Sequence, residues 1–165
     1  MAVTIRIVAI LVASASISGT IVAQNHLADL RNRFVHEPNP VAKAKLMPQL
    51  GGAEFAEIDS DVMQEKLPEA LAVLQSYRDE VESCDKALDA AGLDAEKHPG
   101  GFKQLEFSLR DSLRRLDAVI VNMTTDEQAP FVDVRRELGE LNQHLIEHLF
   151  PHAPPPKPAP DAAKQ

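Results

Sequence analysis

Aromatic side chains are scarce in this chain, which has no tryptophan, one tyrosine and six phenylalanines among 165 residues. Stacking of nucleic-acid bases needs several exposed aromatic rings, and this chain has few rings from which such a surface could be built. Excess positive charge is also lacking, because the formal net charge is -8 at pH 7. Nucleic acids and anionic membrane surfaces select basic patches, so we predict that neither is a main partner.

Cysteine is nearly absent as well, and Cys84 is the only one. A single cysteine cannot form an internal disulfide, so its thiol is either free or joined to a second chain. Cys84 lies between Val81 and Leu88 on an apolar helical stripe. This placement favours a buried, unreactive thiol.

Only the N-terminus carries a long uncharged apolar run. Residues 7–22 have no charge, follow Arg6 and end beside Ala23. This pattern is typical of a secretory signal peptide, which we place at residues 1–23 with cleavage before Gln24. It predicts export to the periplasm or the extracellular space. The alternative is an uncleaved anchor, although the Ser, Thr and Gly content makes a poor membrane span.

Two amphipathic helices joined by a short turn are predicted between residues 102 and 150. Apolar side chains recur at steps of three and four, the period of a helix with one buried face. A short connection makes the two helices antiparallel neighbours. The stripes are Phe102, Leu105, Leu109, Leu113, Leu116, Ile120 and Met123, then Phe131, Val134, Leu138, Leu141, Leu145 and Leu149.

The remaining segments complete a predicted all-α antiparallel bundle over residues 53–150, with three long helices and a short N-terminal one. The first long helix begins near Pro68 and ends before Gly92. Prolines and the Gly51-Gly52 pair make residues 24–52 an extended lead-in. Residues 151–165 hold six of the 12 prolines and form a disordered tail. The stripes are Leu67, Ala70, Leu74, Tyr77, Val81, Cys84, Leu88 and Ala91 on the long helix, and Phe55, Ile58 and Val62 on the short one.

One sequence motif is of a kind that can bind a metal ion. His144, Glu147 and His148 match H-x-x-E-H, and two histidines four residues apart on a helix can share one metal ion. The motif resembles that of inverted-motif metallopeptidases, in which the glutamate acts as the base. In that family the third ligand lies well downstream, whereas this chain ends soon after the motif, and so large a peptidase fold does not fit in it. We therefore predict no catalytic residue, no cofactor and no metal site, and no stabilisation by zinc.

A second apolar strip lies off the main stripes. Val132, Ile146 and Phe150 share a face of the last helix, and Phe107 lies off the stripe of the preceding one. Contiguous exposed apolar area marks interaction sites, so we predict contact with a protein partner or a second copy here. The alternative is that the short helix with Phe55, Ile58 and Val62 covers this surface.

A further resemblance concerns the segment from Thr124 to Gln128. Its sequence Thr-Thr-Asp-Glu-Gln resembles the Leu-Thr-x-x-Gln element of small periplasmic helical chaperones, with Thr124 in place of the leucine and one copy only. The resemblance implies a binding or chaperone role. A capping box at the start of a helix explains the same residues. The sequence thus favours a non-enzymatic binding or structural module of the cell envelope, with metal binding, metal-dependent hydrolysis and a chaperone role as alternatives.

Overall fold

The computed structural model describes residues 18–151, and side-chain surroundings from residue 25 onward. This part of the chain is all-helical and contains no strand. None of its helices is long and apolar enough to span a membrane. The predicted signal peptide lies mostly outside the described residues and stays a prediction, as does the tail beyond Pro151. The helices are α1 (Ser18–His36), α2 (Pro40–Met63), α3 (Leu67–Ala90), α4 (Gly100–Val121) and α5 (Thr125–Leu149).

The predicted stripes of α3, α4 and α5 meet in one core, which confirms the helical-bundle prediction at this level. Most stripe positions are buried, while Leu67, Leu113, Ile120 and Leu141 are partly buried and Ala91 is exposed. Cys84 is fully buried, as predicted, and burial raises the pKa of its thiol to about 12. The thiol is therefore protonated and shielded at neutral pH.

The prediction for residues 24–52 is wrong, because they belong to two long helices and not to an extended lead-in. Leu27, Leu30 and Phe34 form a stripe with helical spacing, and all three are buried. Pro40 starts a helix rather than breaking one, since it follows the N-cap Asn39. The Asn39 side chain accepts a hydrogen bond of 3.0 Å from the Ala42 N–H. The helix count therefore differs from the prediction.

Helix α2 also continues through Pro48 and through the Gly51-Gly52 pair. Burial explains this, because Met47, Leu50 and Phe55 are each 0% exposed. Gly51 lies directly against the ring of Tyr77, and a Cβ added there would be 2.9 Å from a ring carbon. Tertiary packing thus outweighs the low helix propensity of these residues. The glycine serves a close approach between helices.

Helices α3 and α4 lie at the centre of the bundle. Each of them packs on α2 and α5, whereas no Cα atoms of α2 and α5 come within 8 Å of each other, and α1 packs mainly on α2. Residue pairs across the bundle define the helix directions. Arg78 contacts Glu137, Asp85 contacts His144, and Asp89 contacts His148, each pair being 59 residues apart. Because this separation is constant, α3 and α5 run parallel, and their C-terminal turns lie at the same end.

A buried charge cluster holds α1 against the bundle. Arg31 of α1 donates to Oε1 of Glu54 at 3.0 and 2.6 Å, and its Nε lies 3.5 Å from Oε1 of Glu80. The Glu54 side chain is 0% exposed, and the second oxygen of both glutamates is buried without a hydrogen-bond partner. Burial, followed by the nearby charge of Glu80, raises the pKa of Glu54 to about 8. One guanidinium therefore faces a carboxyl pair that retains a proton at neutral pH.

The protonated Glu54 should make the stability of the fold decline with rising pH. An unfolded Glu54 releases its proton near pH 4.5, whereas the folded one keeps it to about pH 8. The contribution of Glu54 to the free energy of unfolding is fully present below pH 4.5 and is lost as pH rises to 8. Over this range the free energy of unfolding falls by about 1.4 kcal/mol per pH unit. Denaturant unfolding at several pH values should show this slope, which Glu54→Gln flattens. The control Glu69→Gln removes an exposed carboxylate and should keep the pH dependence of the wild type. An unchanged slope in Glu54→Gln would show that Glu54 does not retain a proton in the folded protein.

The two central leucines of the stripes should differ in their contributions to stability. Leu138 is 0% exposed, whereas Leu113 is only partly buried because Ser112 faces the core beside it. We expect Leu138→Ala to lower the free energy of unfolding by about 2–5 kcal/mol, and Leu113→Ala to cost less. Denaturant unfolding of both variants measures the difference. A cost below half a kcal/mol at Leu138 would show that the stripe does not form the core.

Candidate metal centre

The C-terminal turns of α3 and α5 bring together four side chains that can bind or orient a metal ion. Asp85 and Asp89 lie four residues apart on α3, and His144 and His148 lie four residues apart on α5. Residues spaced by four share one face of a helix. The parallel register of the two helices places the acidic pair opposite the histidine pair.

The distances are those of a compact cluster. Nδ1 of His144 lies 3.1 Å from Oδ2 of Asp85, and Nδ1 of His148 lies 3.3 Å from Oδ1 of Asp89. The two imidazole rings have centroids 4.2 Å apart. One ligand atom from each of Asp89, His144 and His148 lies within 4.8 Å of the other two. Small side-chain rotations would bring these atoms to a common ion, because zinc ligands lie about 2.0–2.2 Å from the metal.

The cluster is open on one side and closed on the other. The side chains of Asp89, His144 and His148 are 38–42% exposed, so an ion can reach them from solvent. Asp85 is 4% exposed, and its Oδ1 is buried without a hydrogen-bond partner. Burial raises the pKa of Asp85, while the nearby His144 lowers it. A buried carboxylate therefore lies behind an exposed set of ligands.

Glu147, the glutamate of the predicted motif, is not part of this cluster. Its Oε1 accepts a hydrogen bond of 2.9 Å from Nε2 of Gln143, on the exposed side of α5. The histidines at positions 144 and 148 face α3 instead. The glutamate is therefore not placed to act as the base of a metallopeptidase.

Asp89 lies where it could act as a third ligand beside the two histidines of the motif. The prediction of no metal site and no stabilisation by zinc depended on a missing third ligand downstream of His148. The structure brings a third group that could bind a metal ion from upstream, on a different helix, and the prediction itself stays a prediction. A signal for it exists in the sequence, because Asp85 and Asp89 share one face at the end of a helix two elements before the histidines.

Three of the four predicted partner-binding residues share one cleft. Phe107, Ile146 and Phe150 line a mainly apolar space of about 240 Å³ between α4 and α5, flanked by Lys103 and Arg110. Phe107 and Phe150 are 53% and 55% exposed. Val132 is 45% exposed but lines a separate groove further along α5. Helix α2 does not pack over these positions on α5, since no Cα atoms of the two helices come within 8 Å of each other.

The segment that resembles a chaperone element caps two helices. The Glu127 carboxylate accepts hydrogen bonds from the Thr124 N–H at 3.0 Å and from the Thr124 hydroxyl at 2.7 Å. Nε2 of Gln128 donates to the carbonyls of Ile120 and Met123 at the end of α4. These bonds hold the α4–α5 turn, and the bond from the Thr124 N–H to Glu127 belongs to the capping box that the sequence allowed.

Comparisons with known proteins add no family to this geometry: the chain matches no protein-family model, no curated protein and no solved structure.

Proposed function

We propose that this chain is a non-enzymatic helical module that binds one divalent transition-metal ion through Asp89, His144 and His148. The observation that carries the proposal is the convergence of three ligand atoms within 4.8 Å, from two helices in fixed register. Two imidazoles and one carboxylate suit zinc and copper, which favour nitrogen ligands with carboxylate support. Magnesium and calcium prefer sites built mainly from oxygen.

The surroundings of the cluster favour binding over hydrolysis. Three protein ligands leave a coordination position open to water or to another ligand, as in catalytic zinc sites. A hydrolase also needs a base near that position, and Glu147 is bonded to Gln143 on another side of α5. We therefore propose that the ion is the ligand of this protein and not the cofactor of a reaction.

Export places this activity in the cell envelope or outside the cell. The support for export is the sequence of residues 1–23, with Arg6 before an uncharged apolar segment. Contact with a protein partner or a second copy at the cleft of Phe107, Ile146 and Phe150 likewise stays a prediction.

Zinc titration tests the proposed function. We expect wild-type protein to bind one zinc ion by calorimetry, and its melting temperature to rise with zinc and fall back with chelator. At free zinc 100 times above the dissociation constant, binding adds about 2.7 kcal/mol of stability. Asp89→Asn and His148→Ala should each weaken zinc binding at least tenfold.

The matched control is Glu147→Gln, which changes the glutamate of the motif but no residue of the cluster. It should bind zinc like the wild type. A loss of zinc binding in Glu147→Gln with normal binding in Asp89→Asn would show that the H-x-x-E-H motif binds the ion without Asp89. Coincident melting curves with zinc and with chelator would overturn the proposal altogether.

A further inference from the structure

We propose that Asp85 is the positioning residue of the metal centre and holds His144 in the tautomer that presents Nε2 to the ion. This inference depends on the proposed function for its ligand, but its geometric part can be tested without a metal. The relevant atoms are Oδ2 of Asp85 and Nδ1 of His144, which lie 3.1 Å apart.

The bond between these atoms decides which ring nitrogen is available. A carboxylate has no hydrogen to donate, so it accepts the bond and Nδ1 of a neutral His144 carries the proton. Nε2 then has a free lone pair, which a metal ion can accept. With Nδ1 engaged by Asp85, only Nε2 of His144 can bind the ion.

The burial of Asp85 makes this arrangement specific to one histidine. Asp85 is 4% exposed and belongs to the packed face of α3, so its carboxylate has little freedom to turn away. The partner of His148 is Asp89, whose side chain is 38% exposed and which is itself a ligand of the centre. His144 is thus the ligand that a buried carboxylate orients before the ion arrives.

The stability lost by burying the Asp85 carboxylate supports a role for this residue beyond packing. A buried carboxylate with one unpartnered oxygen destabilises a fold, and an apolar residue of similar volume would avoid that cost. The bond to His144 is the one hydrogen bond that the described residues offer to the Asp85 side chain. Carboxylates that orient metal-binding histidines typically change metal affinity by about 10–100-fold.

Nitrogen-15 NMR of the metal-free protein tests the geometric part. At a pH where the ring is neutral, wild-type His144 should carry its proton on Nδ1. Asp85→Ala removes the acceptor, so the Nε2-protonated form should gain population. Asp85→Asn keeps an acceptor oxygen and should restore the wild-type tautomer at least in part. A wild-type His144 protonated on Nε2 overturns the inference without reference to any variant.

Zinc calorimetry on the same proteins tests the consequence. Asp85→Ala should weaken zinc binding by about 10–100-fold, and Asp85→Asn should recover part of the loss. The control Glu82→Ala removes a carboxylate one turn away that pairs with Lys86, and it should bind zinc like the wild type. Unchanged zinc affinity in Asp85→Ala contradicts the positioning role but leaves the metal centre intact. A wild-type protein that binds no zinc overturns the proposed function, and the tautomer then remains the test of Asp85.

Discussion

The parallel register of α3 and α5 is the constraint on which the candidate site depends. Contacts from Arg78 to Glu137, from Asp85 to His144 and from Asp89 to His148 repeat one sequence separation. A shift of either helix by one residue would rotate its face by about 100° and separate the carboxylates from the imidazoles. The apolar stripes set this register, because Leu88 and Leu145 must both point into the same core. The packing of α3 and α5 in the core therefore also positions the carboxylates and imidazoles at the surface.

Buried carboxylates recur at the places where helices meet. Glu54 and Glu80 face Arg31 of α1, and Asp85 faces His144 of α5. Each contact joins groups from different helices, and each leaves a carboxylate oxygen buried without a partner. Such contacts cost stability relative to apolar packing, but they favour one arrangement of helices over others. In this fold they hold α1 on the outside of α2 and align the end of α3 with the end of α5.

The helical period predicted α3, α4 and α5 because their stripes are long and regular. It failed for α1, where Pro38 and Pro40 after the stripe of Leu27, Leu30 and Phe34 argued against a helix. It also failed for the first half of α2, which contains Pro48 and the Gly51-Gly52 pair. Low helix propensity destabilises a helix less than the burial of its apolar side chains stabilises it. Pro48 and Gly51 therefore lie within α2, beside the fully buried Met47 and Leu50. The histidine pair was visible in the sequence, but Asp89 was not linked to it. That link requires the register between two helices that are not consecutive, and one stripe alone does not define it.

The central claim is that α3 and α5 together bind one metal ion, and the position of the ion tests it most directly. Crystals grown with zinc and measured on both sides of the zinc absorption edge would locate the ion by anomalous scattering. We expect one strong peak between Asp89, His144 and His148, with Nε2 of His144 toward the ion and Asp85 behind the ring. A peak at Glu147 away from Asp89, or no peak at this end of the bundle, would contradict it.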